Sequence, residues 1–328
     1  MTHDSCFHSR ATMTLPFRIR HALVSALSIP VMLFLLSGCA STPDMEMLES
    51  DLQALVNAFD GDVGVYVRHL PSGQEIAIQA DTLFPTASMV KVPIMLKIFD
   101  RIERGELEYT GEMVYRDSLF YSDDDLTGEL RDSATTSLDK LVMLMISWSD
   151  NTASLWLQET AGTGTAINEW LAEHGFDGTR VNSRTEGRRG DWERYGWGQT
   201  TPREMAELAT MIYEGRAVSP EASREMYRVM TRSYWDGEAL SSIPVTIRTA
   251  SKQGAVTASK SEVVVVNAPH GDYVFCIITK NQADTRWAAD NDGYVLLREV
   301  SRRLWNAFEP GIPAPGTESS GIYEGRSD

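Results

Sequence analysis

Apolar side chains recur at helical spacing in Leu48, Leu52, Leu55, Val56 and Phe59, which predicts an amphipathic helix over Met45 to Phe59. Asp60-Gly61-Asp62 ends it, and the run from Val63 to Leu70 predicts a strand. A Pro71-Ser72-Gly73 turn then folds Glu75 to Gln79 back as a second strand. Helical patterning returns from about Ser88 to Arg104, and again over Leu138 to Trp148, Asn151 to Thr160, Ala166 to His174 and Pro202 to Glu214. Between His174 and Thr200 it lapses into a long stretch rich in Gly and Arg, and loops of that length usually carry function. Strand patterning resumes in Val245 to Ser251, Glu262 to Asn267 and Asp272 to Thr279, with Pro269-His270-Gly271 as a turn. Trp287 to Phe308 predicts a closing helix. Strands at both ends of a helical middle imply an α+β fold, a sandwich of helices on a sheet. One antiparallel five-stranded sheet is flanked by the N- and C-terminal helices, with an all-helical lobe inserted. The α/β lobe takes about residues 45–103 and 215–310, and the helical lobe about 104–214. A tail over 311–328, rich in Gly, Pro, Ser and Glu, is expected to be disordered.

The first forty residues follow another pattern. Arg18, Arg20 and His21 precede an apolar run from Ala22 to Leu36, which ends in Leu36-Ser37-Gly38-Cys39. A basic start, a short apolar run and small residues predict a secretory signal over residues 1–39. The run is too short and too poorly flanked to span a membrane. Its ending resembles the lipobox of bacterial lipoproteins, in which the cysteine, here Cys39, becomes the lipidated first residue. Met13 makes a more typical start for such a signal than Met1. The expectation is a protein tied to the membrane by an N-terminal lipid, on the periplasmic face of the envelope, with residues 40–44 as a linker. Ala40 after the cysteine favours the outer membrane.

Composition narrows the chemistry. The 328 residues are 42% hydrophobic and 23% charged, as in a globular domain. A net charge of −16 repels phosphate backbones, so no nucleic-acid partner is expected. With Cys6 and Cys39 in the signal, Cys276 is alone in the body and no intramolecular disulfide is available. It sits in the apolar run Tyr273 to Ile278 and is expected to be a small buried hydrophobe. His69, His174 and His270 are far apart and lack ligand spacing, which argues against a zinc site and a Ser-His-Asp triad. No phosphate-binding glycine loop is present, and no metal or other cofactor is expected.

A serine needs a group to take its proton before it attacks. Ser88-Met89-Val90-Lys91 places a lysine three residues from a serine, on one face of a helix, near its start. Alone that spacing is common. Two further elements follow in order: Ser149-Asp150-Asn151 between two predicted helices, and Lys252-Gln253-Gly254 at the end of a predicted edge strand. Ser-x-x-Lys, Ser-Asp-Asn and Lys-Thr-Gly form the signature of class A β-lactamases and penicillin-binding proteins.

From Met45 to Pro310 the chain resembles the class A serine β-lactamase family. The likeness rests on Phe84-Pro85-Thr86-Ala87-Ser88-Met89-Val90-Lys91-Val92-Pro93, on Ser149-Asp150-Asn151-Thr152-Ala153, and on Arg184-Thr185-Glu186 with Thr200-Thr201-Pro202 around the family's omega loop. The resemblance implies that Ser88 forms the acyl-enzyme, Lys91 helps deprotonate it and Ser149 passes a proton to the leaving nitrogen. It implies that Asn151 holds the substrate's side-chain amide, Glu186 activates the deacylating water, and Lys252 steers the substrate carboxylate. Gly254 belongs to the same substrate-binding strand. The N–H groups of Ser88 and Ala255 would form the oxyanion hole, where each donor is typically worth about 2.7–4 kcal/mol.

Four positions depart from the family. Gln253 replaces Thr or Ser, Gly187 replaces the Pro after Glu186, Gly190 replaces an Asn that helps hold the water, and Gln199 replaces the Asp that pairs with the loop arginine, here Arg184. Trp192, Tyr195 and Trp197 could brace the loop instead. Lys260 is a candidate second cation for a substrate carboxylate, and Tyr121 a candidate wall at the site entrance. The departures fall on deacylation and carboxylate binding and spare acylation. The leading expectation is a monomeric β-lactamase acting on small β-lactams. The alternatives are a D,D-peptidase or penicillin-binding hydrolase acting on peptidoglycan stem peptides, and a non-catalytic periplasmic binding protein.

Overall fold

The computed structural model describes residues 44–315 except Asp123, so the expectations for the signal, Cys39 and most of the tail lie outside the described residues. In chain order the described residues form α1 (Met45–Ala58), β1 (Asp62–His69), β2 (Glu75–Ile78), β3 (Phe84–Pro85), α2 (Lys91–Glu103), β4 (Glu112–Val114) and β5 (Thr135–Ser137). There follow α3 (Leu138–Met143), α4 (Asn151–Thr160), α5 (Thr163–Glu173), β6 (Arg180–Val181), α6 (Arg189–Tyr195), β7 (Gly198–Thr200) and α7 (Pro202–Tyr213). The chain closes with α8 (Pro220–Met230), β8 (Thr249–Val256), β9 (Ser259–Val266), β10 (Tyr273–Lys280) and α9 (Asp292–Phe308).

Five strands make one antiparallel sheet in the order β2-β1-β10-β9-β8, so β1 from the start of the domain pairs with β10 from its end. Alternation explains the layers. Val263 and Val265 of β9, with Val274, Cys276 and Ile278 of β10, face a core shared with α2, α4, α5 and α7. Val264 and Val266, with Tyr273, Phe275 and Ile277, face a second core against α1 and α9. Cys276 is fully buried in the first of these. The expected α+β architecture is therefore present: a sheet flanked by terminal helices, with helices from the middle of the chain on its other face.

Several element boundaries differ from expectation. The strand expected over Val245 to Ser251 is instead β8, over Thr249–Val256, and Val245 is fully exposed. Pro244 cannot donate to a ladder, whereas Thr249 to Val256 lie opposite β9 throughout. Lys252 therefore stands inside an edge strand. The last helix starts at Asp292, capped by Asn291, and leaves Trp287 in a loop. Leu138 to Trp148 splits into α3 and a π turn, Leu144–Trp148. The irregular stretch contains α6, and α8 follows a Ser219 cap with Pro220 in its first turn. Residues 311–315, expected to open the disordered tail, still touch the body: Ile312 and Ala314 pack on the second core, and Trp305 Nε1 donates to Ile312 O at 2.8 Å.

Candidate active site

β3 leads directly to the nucleophile. It pairs with β7, and β7 pairs with β6, so the end of the long loop holds the approach to Ser88. Ala87 takes a left-handed φ of 44°, which turns the chain into a tight 3-10 turn over Ala87–Val90 that runs into α2. Ser88 thus sits half-buried, with Lys91 at the first position of α2.

Lys91 is fully buried. Its Nζ lies 3.1 Å from Ser88 Oγ, 3.0 Å from Ser149 Oγ, 2.5 Å from Ser149 O and 2.7 Å from Asn151 Oδ1. Ser149 O and Asn151 Oδ1 only accept, so they take N–H bonds from the amine. A neutral amine has two such N–H groups and one lone pair, which is then directed toward the two hydroxyls. Burial lowers the Lys91 pKa to about 7, against the pull of Asp125 and Asp150 in the other direction.

Ser149 is brought to Lys91 by local strain. The π turn before it widens the helix, and Ser149 then takes a left-handed φ of 67°. Such conformations persist only where surroundings fix them. Here the Ser149 N–H bonds to Leu144 O, and its carbonyl receives Lys91. Asp150 caps α4 through Ala153 N at 2.7 Å and also accepts from Thr127 N at 2.8 Å. Asp125 accepts from Asn151 N at 2.8 Å, Thr152 N at 2.9 Å and Thr152 Oγ1 at 2.8 Å. These two buried carboxylates anchor the start of α4 and are the nearest counter-charges to Lys91. Nothing in the sequence singles out Asp125, which follows two other aspartates.

The third element comes from β8. Lys252 is fully buried, and its Nζ donates to Ser149 Oγ at 3.0 Å, to Gln253 O at 2.9 Å and to Gln253 Oε1. Burial, then the neighbouring Lys91, holds its pKa well below that of an ordinary lysine. Gln253 thus ties its amide oxygen to the lysine of its own motif. Gly254 is required by contact: a Cβ there would lie 2.6 Å from Thr86 O and 3.0 Å from Ser88 N. Lys260 N donates to Thr279 Oγ1, toward β10, so the facing Ala255 directs its N–H off the open edge of β8. That edge faces Ser88, as the donor pair of an oxyanion hole requires.

Two cavities meet at Ser88. The first, about 580 Å³, also touches Asn151, Tyr121, Trp197, Arg194 and Ala255. The second, about 440 Å³, touches Ser149, Gln253, Glu238, Trp148, Trp235 and Trp287. Tyr121 therefore does line the entrance, in an edge-to-face pair with Trp197 at 5.0 Å. Glu186 is not brought to this site. It is exposed and lines a third cavity with Leu155 and Trp192, and Tyr121 and Trp197 line both that cavity and the first. The Thr185 side chain packs on Gly164 and Ser183 bonds to Gln158, which hold this part of the loop against α4 and α5. Gln199 pairs with Arg188, at 3.0 Å, and not with the exposed Arg184, and Arg188 also reaches Asn182 and Asp191. Lys260 is also absent from the cavities. It is buried behind Trp287, 4.2 Å from that ring, and donates to Val256 O at 2.7 Å. Among the described residues no group of His, Cys, Asp and Glu side chains could hold a metal ion.

A sheet flanked by helices, with serine, two buried lysines and a second serine at its edge, defines a site of the serine-hydrolase type. The model of the beta-lactamase enzyme family matches residues 47–308, and the chain belongs to that family, among its class A serine members. It is 20% identical to β-lactamase VEB-1 of Pseudomonas aeruginosa over 82% of this chain and 92% of that one. Among solved structures it is similar to a mutant of PBP-A in an acyl-enzyme complex with penicillin G, at 25% identity and a TM-score of 0.73, covering 81% of this chain and 97% of that one. It is also similar to a β-lactamase from Sphaerobacter thermophilus, at 26% identity and a TM-score of 0.72, covering 82% and 100%.

Proposed function

We propose that this chain is an envelope serine amidohydrolase, acylated at Ser88 by β-lactams and by the stem peptides they mimic, that releases its acyl group slowly, as a penicillin-binding enzyme does. In acylation the Ser88 hydroxyl gives its proton to the Lys91 amine while Oγ bonds the carbonyl carbon. The resulting oxyanion lies between the Ser88 and Ala255 N–H groups. Ser149, polarised by Lys252, gives its proton to the leaving nitrogen as the C–N bond breaks, and recovers one from Lys91. Release needs a water to attack the ester and a base to take its proton.

One contrast carries the reading. Lys91 touches Ser88, Ser149 and Asn151 directly, whereas the carboxylate expected to activate water, Glu186, opens into a different cavity. A second reading, rapid β-lactam turnover through Glu186, is favoured by the β-lactamase relatives and requires Glu186 to reach a water at Ser88. Lipid attachment at Cys39 would hold the domain at the membrane in either case. A chromogenic cephalosporin tests the proposal: it predicts a burst of about one equivalent followed by slow turnover, lost in Ser88→Ala. Rapid linear turnover without a burst would favour the second reading.

A further inference from the structure

The first cavity differs in charge from the rest of the molecule. The chain has a net charge of −16, yet no Asp or Glu is among the described residues lining this space, while Arg194 and Lys280 both line it. Arg194 lies in the last turn of α6, exposed, with its guanidinium 5.1 Å from the centre of the Tyr195 ring. The acidic residues of that helix are engaged elsewhere: Asp191 pairs with Arg188 at 2.9 Å and Glu193 with Arg189 at 2.7 Å. Lys280 is tied to the wall, donating to Leu83 O at 3.0 Å and resting over Phe84. The reachable planar cation is therefore Arg194. Across Ser88 the second cavity has the opposite character, with Asp125, Glu238 and three tryptophans.

The direction of the substrate follows from Ser149. It lines only the second cavity of the two, and in the acylation proposed above its hydroxyl gives the proton to the leaving nitrogen. The leaving group then departs toward the second cavity, and the acyl substituent extends into the first. We propose that Arg194 makes this acyl-side cavity selective for acyl donors whose side chain ends in a carboxylate. A guanidinium fork matches that group with two parallel hydrogen bonds. The proposal rests on the acyl-enzyme reading above and names the class of acyl group that the site accepts.

Two penicillins that differ only by a side-chain carboxylate, α-carboxybenzylpenicillin and benzylpenicillin, provide the test. The readout is the ratio of their acylation rate constants at Ser88, followed by intact mass. In the unmodified protein the carboxylated compound is expected to react faster, by on the order of tenfold, as one charge-assisted contact supplies. The ratio should fall toward one in Arg194→Gln, invert in Arg194→Glu, and narrow as salt is added. Equal rates in the unmodified protein, with both compounds acylating Ser88, overturn this proposal alone, as does a preference that survives Arg194→Glu. Acylation by neither compound overturns the acyl-enzyme reading, and this proposal with it. The comparison in the unmodified protein does not depend on how well either variant folds.

Discussion

In the proposed mechanism, Lys91 is the residue on which acylation turns. Its amine can take a proton from Ser88 only when neutral, and burial brings its pKa down to about 7. Below that value the amine is charged and acylation is blocked; above it the amine is free. The acylation rate is therefore expected to rise with pH through about 7 and then level off, as stopped-flow measurement of acyl-enzyme formation would show. Lys91→Met should lower that rate by about 10²–10⁴-fold, the usual worth of a positioned base. An acid limb near pH 4 would assign the base to a carboxylate instead. Ser88, Lys91, Ser149, Asn151, Lys252 and Gly254 are all legible as candidates in the sequence, because each lies in one of three short motifs whose spacing and order persist, and Ala255 follows the third directly. Asp125 is not legible. Its function comes from burial against the start of α4, a long-range contact with no local signature.

At the scale of elements, the site depends on two junctions that place strained or crowded backbone. The start of α4 is held by Asp125 and Asp150, which together accept from Asn151, Thr152, Ala153 and Thr127. Asp125→Ala leaves the Asn151 N–H and the Thr152 N–H and hydroxyl without their partner in a buried place. It is expected to cost about 2–4 kcal/mol in chemical unfolding and to impair acylation as Asn151 shifts. The second junction is β8 against the nucleophile turn. Gly254→Ala must push the strand away from Thr86 and Ser88, which misplaces the Ala255 N–H. Acylation is expected to fall by 10²-fold or more, the scale of a lost oxyanion donor, with a small change in melting temperature. Unchanged acylation would show that Ala255 plays no such part. Periodicity predicts α1 and α7 closely, because each buries one face, and α4, buried nearly all round, is marked by the Asp150 cap at its start. It misplaces β8, because Ser-Lys-Gln-Gly-Ala lacks the apolar alternation of a strand and is ordered by pairing with β9. It also misses the π turn, since one extra residue per turn leaves the helical pattern nearly intact.

At the scale of the whole molecule, the candidate site draws on both the sheet and the helical layer. β8 brings Lys252 and Ala255, and the helices bring Ser88, Lys91, Ser149 and Asn151. The long segment before α7 forms the third side, and here the sequence is least informative. The Arg184-Thr185-Glu186 motif places a carboxylate at the expected position along the chain. Where that carboxylate points depends on contacts between Arg188 and Gln199, Ser183 and Gln158, and Tyr121 and Trp197, which no short motif encodes. On the proposed reading, the site holds the groups for acylation, while its expected deacylating base lines another cavity. The lifetime of the acyl-enzyme tests this most directly. The protein is acylated with benzylpenicillin, excess ligand is removed, and the adduct on Ser88 is followed by intact mass in the unmodified chain and in Glu186→Gln. The account predicts an adduct that persists for minutes or longer and decays at the same rate in both. Rapid loss in the unmodified protein, with a trapped adduct only in Glu186→Gln, would contradict it.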